Sequence, residues 1–473
     1  MDRDAPVPAS VSPAPPRSRG RLVAGYALML AVAGGIFFLI RMYGERLTPA
    51  SAASAPPATA AHVPETDVLL HVLIALVAIL LLGRWLGRAF VYVGQPRVIG
   101  EIVAGIVLGP SLLGRVSPAA MDFVLPAEVA PALGIIAQIG VILYMFLIGL
   151  ELNARLLRSS AHATVAISHA SITAPFVLGA ALALWLYPHL APENVRFTSF
   201  ALFIGVAMSI TAFPVLARIL TDRGMEQTEL GTVAIGCAAI DDVTAWCLLA
   251  FVVGVAQAKL AGAVMTVFLT VAFIGLMFAV VGPLANRYLG HGASDRHPRQ
   301  RMAVWVLVAL LLSASAAEAI GIHAIFGAFL LGAIIPHDAD VARDFREKLE
   351  DIVKILLLPA FFAYTGMRTK LGLVSGGEAW LFTGVIILVA TLGKFGGTLV
   401  AARSTGLSWR TGAALGILMN TRGLMELVVL NIGLDLGVIS ETLFAMMVIM
   451  ALATTIATTP ILRLLNPTGQ SRP

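Results

Sequence analysis

Runs of about 20 apolar residues recur along most of the chain, separated by short charged or Pro/Gly-rich breaks. About 20 such residues are needed for a helix to cross the hydrocarbon of a bilayer. Lipid offers no hydrogen bonds to the backbone, so unbroken apolar runs of this length must satisfy their own polar groups as helices. The sequence therefore predicts an all-α polytopic membrane protein with fourteen candidate spans, near 22–41, 67–84, 98–114, 128–150, 163–187, 198–220, 229–256, 261–284, 302–320, 322–336, 353–368, 378–402, 411–433 and 438–462.

Composition agrees with this class of protein. Charged residues make up 12% of the chain and hydrophobic residues 58%, whereas a soluble domain carries about 25% charged residues. The net charge of +5 comes from Lys and Arg in the loops, so a nucleic-acid partner is not indicated. Cys237 and Cys247 lie in hydrophobic stretches without metal-type spacing, and we expect neither a disulfide framework nor a cofactor.

Basic residues also predict the orientation. If the N-terminus is cytoplasmic, 23 of the 32 Lys and Arg residues fall on the cytoplasmic side and seven on the other. Such an excess is typical of cytoplasmic loops. An even number of spans preserves the asymmetry, so we expect both termini in the cytoplasm and a location in a bacterial inner or plasma membrane.

Three regions follow from these patterns. Residues 1–65 contain an Ala- and Pro-rich tail, the extra helix 22–41 and a linker. The run 22–41 is long for a signal peptide and is followed by basic residues, so an uncleaved anchor is favoured. We expect residues 66–465 to form one compact unit of about 13 core helices, and 466–473 to be a C-terminal tail.

Charged side chains inside predicted spans are the strongest functional signal. Asp241 and Asp242 lie near the middle of 229–256, and Lys394 lies within 378–402. Each such charge costs about 2.5–3.5 kcal/mol on insertion scales. Neighbouring helical residues point about 100° apart, so the two carboxylates can have different roles; purely structural burial is the alternative. We expect Lys394 to pair with Asp241 or Asp242, or else to snorkel to the cytoplasmic interface.

Two spans are interrupted. The span 198–220 contains SITAFP at 209–214, and 411–433 contains MNTRGLME at 419–426. Unwound helices at membrane depth expose carbonyls and half-helix ends, which bind ions. Each break falls in the fourth helix of a five-helix set, the first set running from 98–114 to 229–256 and the second from 322–336 to 438–462. An odd offset between the sets predicts an inverted repeat.

Six stretches resemble the monovalent cation:proton antiporter superfamily, in particular its second branch of sodium/hydrogen exchanger-like proteins. They are QPRVIGEIVAGIVLGPSLLG at 95–114, FLIGLELN at 146–153, SITAFPVLARIL at 209–220, AIDDVTAWCLLA at 239–250, GIHAIFGAFLLGAIIP at 321–336 and MNTRGLMELVVLNIG at 419–433. The branch includes bacterial sodium–proton antiporters and plant and fungal cation/proton exchangers. The resemblance implies a homodimer, with a dimerisation domain and a mobile core that contains two crossed broken helices.

The resemblance also implies roles for individual residues. Asp242 would bind proton and cation (Na+, K+ or Li+) in turn, Asp241 would pair with Lys394, and Thr211 would line the crossing. Arg422 and Glu426 match the second broken helix, where their charges would offset the half-helix dipoles; a structural ion pair is the alternative.

Two departures from the family pattern affect this expectation. SITAFP lacks the Asp that the best-known sodium antiporters have in the first broken helix, so dipole compensation must differ and the choice of cation stays open. No Gly-rich phosphate loop follows a strand, so we expect no nucleotide-binding domain in this chain. A channel, an intramembrane enzyme and an organic-solute carrier are the other function classes, and a channel would need a pore filter that the sequence does not show.

Overall fold

The computed structural model describes residues 19–49, 68–126, 128–151, 162–221, 223–225, 228–257, 260–289, 296–336 and 340–465. The predicted tails 1–18 and 466–473 and the linker 50–67 lie outside these residues. The first half of the described chain forms α1 Arg19–Gly44, α2 Val68–Tyr92, α3 Arg97–Leu108, α4 Leu113–Val116, α5 Pro118–Val124, α6 Val129–Glu151, α7 His162–Leu190, α8 Phe197–Ser209, α9 Phe213–Thr221 and α10 Glu229–Gln257.

The second half is also helical. It forms α11 Leu260–Leu276, α12 Gly282–Leu289, α13 Arg296–Ile320, α14 Ala324–Ile334, α15 Asp340–Ile352, α16 Leu358–Arg368, α17 Gly376–Ser404, α18 Trp409–Met419, α19 Leu424–Asp435 and α20 Glu441–Leu465. Single π-helical turns, 277–281 and 353–357, join α11 to α12 and α15 to α16. The structure has no strand in the part of the chain that it describes, so the all-α polytopic prediction is confirmed.

The fourteen apolar runs all lie on helices, but not all of these helices are long. Ten are long and apolar enough to cross a bilayer, and α18 with α19 makes an eleventh span bent by 44°. The other three runs are built from shorter pieces: α8 has 13 residues and α9 has nine, α14 has 11, and α16 has 11. The charged helix α15 lies between the predicted spans 322–336 and 353–368. It continues into α16 through the π turn.

Helix contacts divide most of the bundle into two groups. The first group contains α2, α3, α6, α13, α14 and α16, with α6 on α14 and α2 on α3 as its broadest contacts and α3 on α16 next. The second contains α7, α8, α9, α10, α17, α18, α19 and α20, and is centred on the contact of α7 with α17. Helix α1 packs on α7 and α8 of the second group. Extensive contact between the groups is confined to a few places, among them α16 with α19.

The same contacts recur in the two halves of the chain. Helix α2 packs on α3 as α13 packs on α14, and α3 packs on α16 as α14 packs on α6. Helix α10 contacts α7, α8 and α9 just as α20 contacts α17, α18 and α19. This is the pattern that a two-fold internal repeat produces. It adds one helix to each predicted five-helix set, namely α2 and α13.

Close helix approach in the first group depends on glycine. A Cβ atom at Gly105 would lie 2.1 Å from the carbonyl oxygen of Ala363. Any side chain at position 105 would therefore push α3 away from α16. In lipid, such close backbone packing replaces the hydrophobic driving force that operates in water. Gly105 therefore permits close packing of α3 on one specific helix, α16.

We expect Gly105→Ala to lower the free energy of unfolding by about 1–3 kcal/mol, because the added methyl group overpacks the α3–α16 contact. Gly275→Ala on α11 is the matched control, since a Cβ there meets nothing within 4 Å. Thermal unfolding of both variants in detergent measures the difference. An equal melting temperature for the two would contradict this account of the contact.

Candidate functional site

The two helix breaks contact each other inside the second group. Residues 210–212 between α8 and α9 and residues 420–423 between α18 and α19 are not helical. The backbone N–H of Ala212 donates to the carbonyl oxygen of Thr421 at 2.9 Å. The hydroxyl oxygen of Thr211 lies 3.1 Å from the carbonyl oxygen of Met419. Each break therefore supplies hydrogen-bond partners for backbone groups that the other leaves free.

Asp241 on α10 is completely buried and is surrounded by donors. The contacts to its carboxylate are Ser168 Oγ at 2.5 Å from Oδ1, and Ser171 Oγ at 2.8 Å, Thr211 Oγ1 at 2.8 Å and Lys394 Nζ at 2.9 Å from Oδ2. These groups come from α7, from the break after α8 and from α17. A carboxylate with this many donors is held in a fixed position.

Lys394 on α17 is also fully buried, so its ammonium group does not snorkel to the membrane surface. It forms an ion pair with Asp241 and not with Asp242. It also donates to the carbonyl oxygen of Ser209, the last residue of α8, at 2.5 Å. The sequence allowed either carboxylate as the partner, and the structure selects Asp241.

Asp242 has the opposite environment. Its side chain is 3% exposed, yet neither carboxylate oxygen has a hydrogen-bond partner of normal geometry among the described residues. The groups that act on it electrostatically are Asp241, Lys394 and the backbone amide of Phe213, the first residue of α9. Asp242 is thus a buried carboxylate that protein donors leave available to a proton or a cation.

Arg422 binds the first broken helix from the second. Its Nη1 donates to the carbonyl oxygen of Ala207 at 2.9 Å, and its Nη2 to that of Met208 at 2.7 Å. Nη1 also donates to Glu426 at 2.7 Å, and both side chains are fully buried. The predicted pair of Arg422 and Glu426 is therefore formed, with the arginine turned towards the end of α8.

Positive charge thus covers the carboxyl-terminal end of α8. Arg422 and Lys394 together occupy the carbonyls of its last three residues, where the helix dipole is negative. At the other side of the break, the amide of Phe213 faces the Asp242 carboxylate, where the dipole of α9 is positive. This arrangement supplies the dipole compensation that the sequence left open in the absence of an Asp in SITAFP.

The sequence analysis missed three residues of the site. Ser168 and Ser171 are three positions apart in an apolar helix and therefore on one face; that spacing was a usable signal. Thr455 on α20 accepts from the Arg422 N–H at 3.0 Å and donates to the Arg422 carbonyl at 2.7 Å. No local pattern marks Thr455, because its partner is 33 residues earlier in the chain.

A cleft of about 570 Å³ separates the two helix groups at one end of the bundle. Its inner wall includes Val98 of the first group and Val215 and Leu424 of the second, close to both breaks. Its mouth carries the basic side chains of Arg97, Arg218, Arg223 and Arg463. The charge distribution predicts that this end faces the cytoplasm.

Ion pairs join the groups at the opposite end. Arg368 at the end of α16 donates to Asn431 at 2.9 Å and to Asp435 at 2.7 Å, both on α19. Lys370 donates to both carboxylate oxygens of Glu441 on α20 at 2.9 and 2.7 Å. We call these contacts the clamp. It closes the end of the bundle that lies away from the cleft.

A resident metal site is not evident in the described part of the chain, where no three His, Cys, Asp or Glu side chains come together. A cation at Asp242 would therefore meet oxygen atoms of one carboxylate and of neutral groups. Hard monovalent cations accept such ligands.

Comparison with known proteins gives a consistent result. A cyanobacterial protein named Na(+)/H(+) antiporter NhaS4, from Synechocystis, is 44% identical over 85% of this chain and 99% of its own. Arabidopsis Cation/H(+) antiporter 20 is 39% identical over 81% of this chain. The K(+)/H(+) antiporter 1 of Saccharomyces cerevisiae is 32% identical over 82%. The chain spans about half the length of these plant and yeast relatives.

A solved structure has the same fold. The sodium proton antiporter MjNhaP1 from Methanocaldococcus jannaschii superimposes with a TM-score of 0.62 at 13% identity, over 86% of this chain and 100% of that one. The family described as sodium/hydrogen exchanger, transmembrane, matches residues 72–464. The chain therefore belongs to the sodium/hydrogen exchanger family of multi-pass membrane proteins.

Proposed function

We propose that this protein exchanges a monovalent cation, Na+ or K+, for protons by alternating access at Asp242. The observation that carries the proposal is the contrast between two adjacent buried carboxylates. Asp241 is saturated with donors, whereas no described side chain donates to Asp242, which faces only the backbone amide of Phe213. Only a group of the second kind can take up a proton or a cation without first losing other contacts.

Charge balance supports competition at a single site. Asp241 and Lys394 neutralise each other, so the charge of Asp242 decides the net charge of the site. Moving an uncompensated charge through the membrane interior is costly. The site can change its exposure from one side of the membrane to the other at low cost only when Asp242 holds a proton or a cation. Because an empty site does not make this change, uptake of one ion is coupled to release of the other. Two protons would move per cation if Lys394 also released its proton whenever Asp242 held the cation.

The relatives support this reaction and keep the cation open. The name of the cyanobacterial relative specifies Na+, and that of the yeast relative specifies K+. Carbonyl and hydroxyl geometry around Asp242 would decide between Na+, K+ and Li+. A homodimer in a bacterial plasma membrane with both termini in the cytoplasm remains part of the proposal, based on the sequence pattern.

An intramembrane hydrolase fits the site less well. It would need two carboxylates that share a proton and a water molecule. Asp241 is paired with Lys394 and Glu426 with Arg422, so Asp242 lacks a second free carboxylate among the described residues. This pairing favours transport over hydrolysis.

Alternating access would come from relative movement of the two helix groups. The cleft opens between them at one end and the clamp joins them at the other. Releasing the clamp while closing the cleft would expose Asp242 to the opposite side. The first group would serve as the scaffold and the second as the moving core.

Replacement of the carrier carboxylate tests the central claim. We expect Asp242→Asn to reduce cation-dependent proton movement in proteoliposomes to the level of protein-free vesicles, because the amide neither ionises nor binds a cation by charge. Glu378→Gln, at an exposed position in the first turn of α17, is the control and should keep wild-type exchange. A pH-sensitive dye reports the flux on addition of Na+ or K+. Exchange by Asp242→Asn would refute the assignment.

Asp241 and Lys394 should behave as a coupled buried pair. We expect Asp241→Asn or Lys394→Met alone to lower the free energy of unfolding by about 3–5 kcal/mol, since each leaves a buried charge unpaired. The double variant should be more stable than either single variant. Chemical unfolding in detergent gives the double-mutant cycle. Additive losses would show that the two groups do not stabilise each other.

The clamp can be tested by cross-linking. In a background without Cys237 and Cys247, we expect a flexible thiol cross-linker between Lys370→Cys and Glu441→Cys to stop exchange, and a reductant to restore it. The pair Leu190→Cys and Ser440→Cys lies within the core, where Ser440 donates to the carbonyl of Leu190 at 2.7 Å. Cross-linking this control pair should leave exchange intact, and normal exchange with the clamp cross-linked would exclude movement at this end.

A further inference from the structure

Buried oxygen atoms without a partner are concentrated at the crossing of the two breaks. Six side-chain oxygens in the described residues are buried and lack a hydrogen bond. Five of them belong to Asp242, Asn420, Thr421 and Glu426, and the sixth to Gln95. Native proteins rarely leave such atoms unpaired. Oxygen atoms bind cations and proton donors, so their concentration in one place points to a site for such a group.

One short backbone segment links the region of the carboxylate to the region of the two neutral groups. Ala212 is hydrogen-bonded to the carbonyl of Thr421, and the amide of the next residue, Phe213, acts on Asp242. Helix α18, which ends just before Asn420, packs directly on α10, which carries Asp242. The side chains of Asn420 and Thr421 are 4% and 0% exposed. They are therefore buried in the same small region as Asp242.

Glu426 differs from these groups because its other carboxylate oxygen is in an ion pair with Arg422. A cation near Glu426 would be repelled by that guanidinium. The amide oxygen of Asn420 and the hydroxyl oxygen of Thr421 are neutral, and they add coordination without adding charge. They are suited to a hard cation that has lost its water.

We propose that Asn420 and Thr421 complete the cation site of Asp242 and raise its affinity for a metal cation without changing its affinity for a proton. The inference rests on the proposed function and deepens it. A proton needs only the Asp242 carboxylate, whereas a dehydrated cation needs several oxygens. Removal of the neutral oxygens should therefore weaken cation binding and leave protonation of Asp242 in place.

Stability separates this role from a purely structural one. Replacing an unpaired buried polar group by an apolar group of the same shape is neutral or stabilising. We expect Thr421→Val and Asn420→Leu to melt at or above the temperature of the wild type in cation-free buffer. A structural role would lower both melting temperatures.

Cation binding is measured by the rise in melting temperature of purified protein in detergent. NaCl, KCl or LiCl is compared with N-methylglucamine chloride at equal ionic strength. We expect the apparent Kd for the cation to rise at least tenfold in Thr421→Val and Asn420→Leu. Thr421→Ser, which keeps the hydroxyl, should bind as the wild type does. Thr458→Val is the matched control, because the Thr458 hydroxyl already donates to the carbonyl of Thr454 at 3.0 Å.

Transport provides the second readout. In proteoliposomes, the KM for the cation should rise at least tenfold in both apolar variants, while the dependence of the maximal rate on pH stays as in the wild type. Unchanged Kd and KM in both variants would overturn the inference, as would an equal loss in Thr458→Val. If no cation stabilises even the wild type and exchange is absent, it is the proposed function that fails.

Discussion

The site depends on one constraint: backbone groups at an unwound helix inside the membrane need partners that water cannot supply. The end of α8 leaves three carbonyls facing the break, and Arg422 and Lys394 donate to all three. The two breaks bond to each other through Ala212 and Thr421. Unsatisfied groups of this kind cost several kcal/mol each in lipid. The positively charged side chains of Arg422 and Lys394 therefore have a structural role, whatever part they take in transport.

This requirement also explains why the two adjacent aspartates differ. Lys394 is drawn to the end of α8, and Asp241 is the carboxylate within its reach at 2.9 Å. Ser168 and Ser171 on α7 add donors to the same carboxylate. Asp242 lies about 100° further round the helix and receives none of these donors. The asymmetry needed for a carrier thus follows from helical geometry and from the position of one lysine.

Local patterns in the sequence predicted the helices, both breaks and the buried charges, because apolar runs and intramembrane charges are visible residue by residue. They could not decide whether Lys394 binds Asp241 or Asp242, since that choice depends on how α17 rotates against α10. The contacts of Arg422 with Ala207 and Met208 join residues about 214 positions apart, and no local pattern carries that information. The charged helix α15 was missed because its apolar face is narrow. The sixth helix of each repeat, α2 or α13, was predicted as a span but not as part of the repeat, because neither helix has a break or a charge at its centre.

The distribution of strong contacts limits how the protein can move. Buried ion pairs and backbone hydrogen bonds link α7, α8, α9, α10, α17, α18 and α19 around the crossing. The clamp between the groups consists of partly exposed ion pairs, and such pairs are worth at most about 1 kcal/mol each. Separating the breaks would unpair several buried groups at once, whereas shifting one helix group against the other breaks the clamp and the buried hydrogen bond from Asn431 to the Thr365 hydroxyl. In the proposed exchange, we therefore expect the whole second helix group to be displaced, with the crossing carried intact.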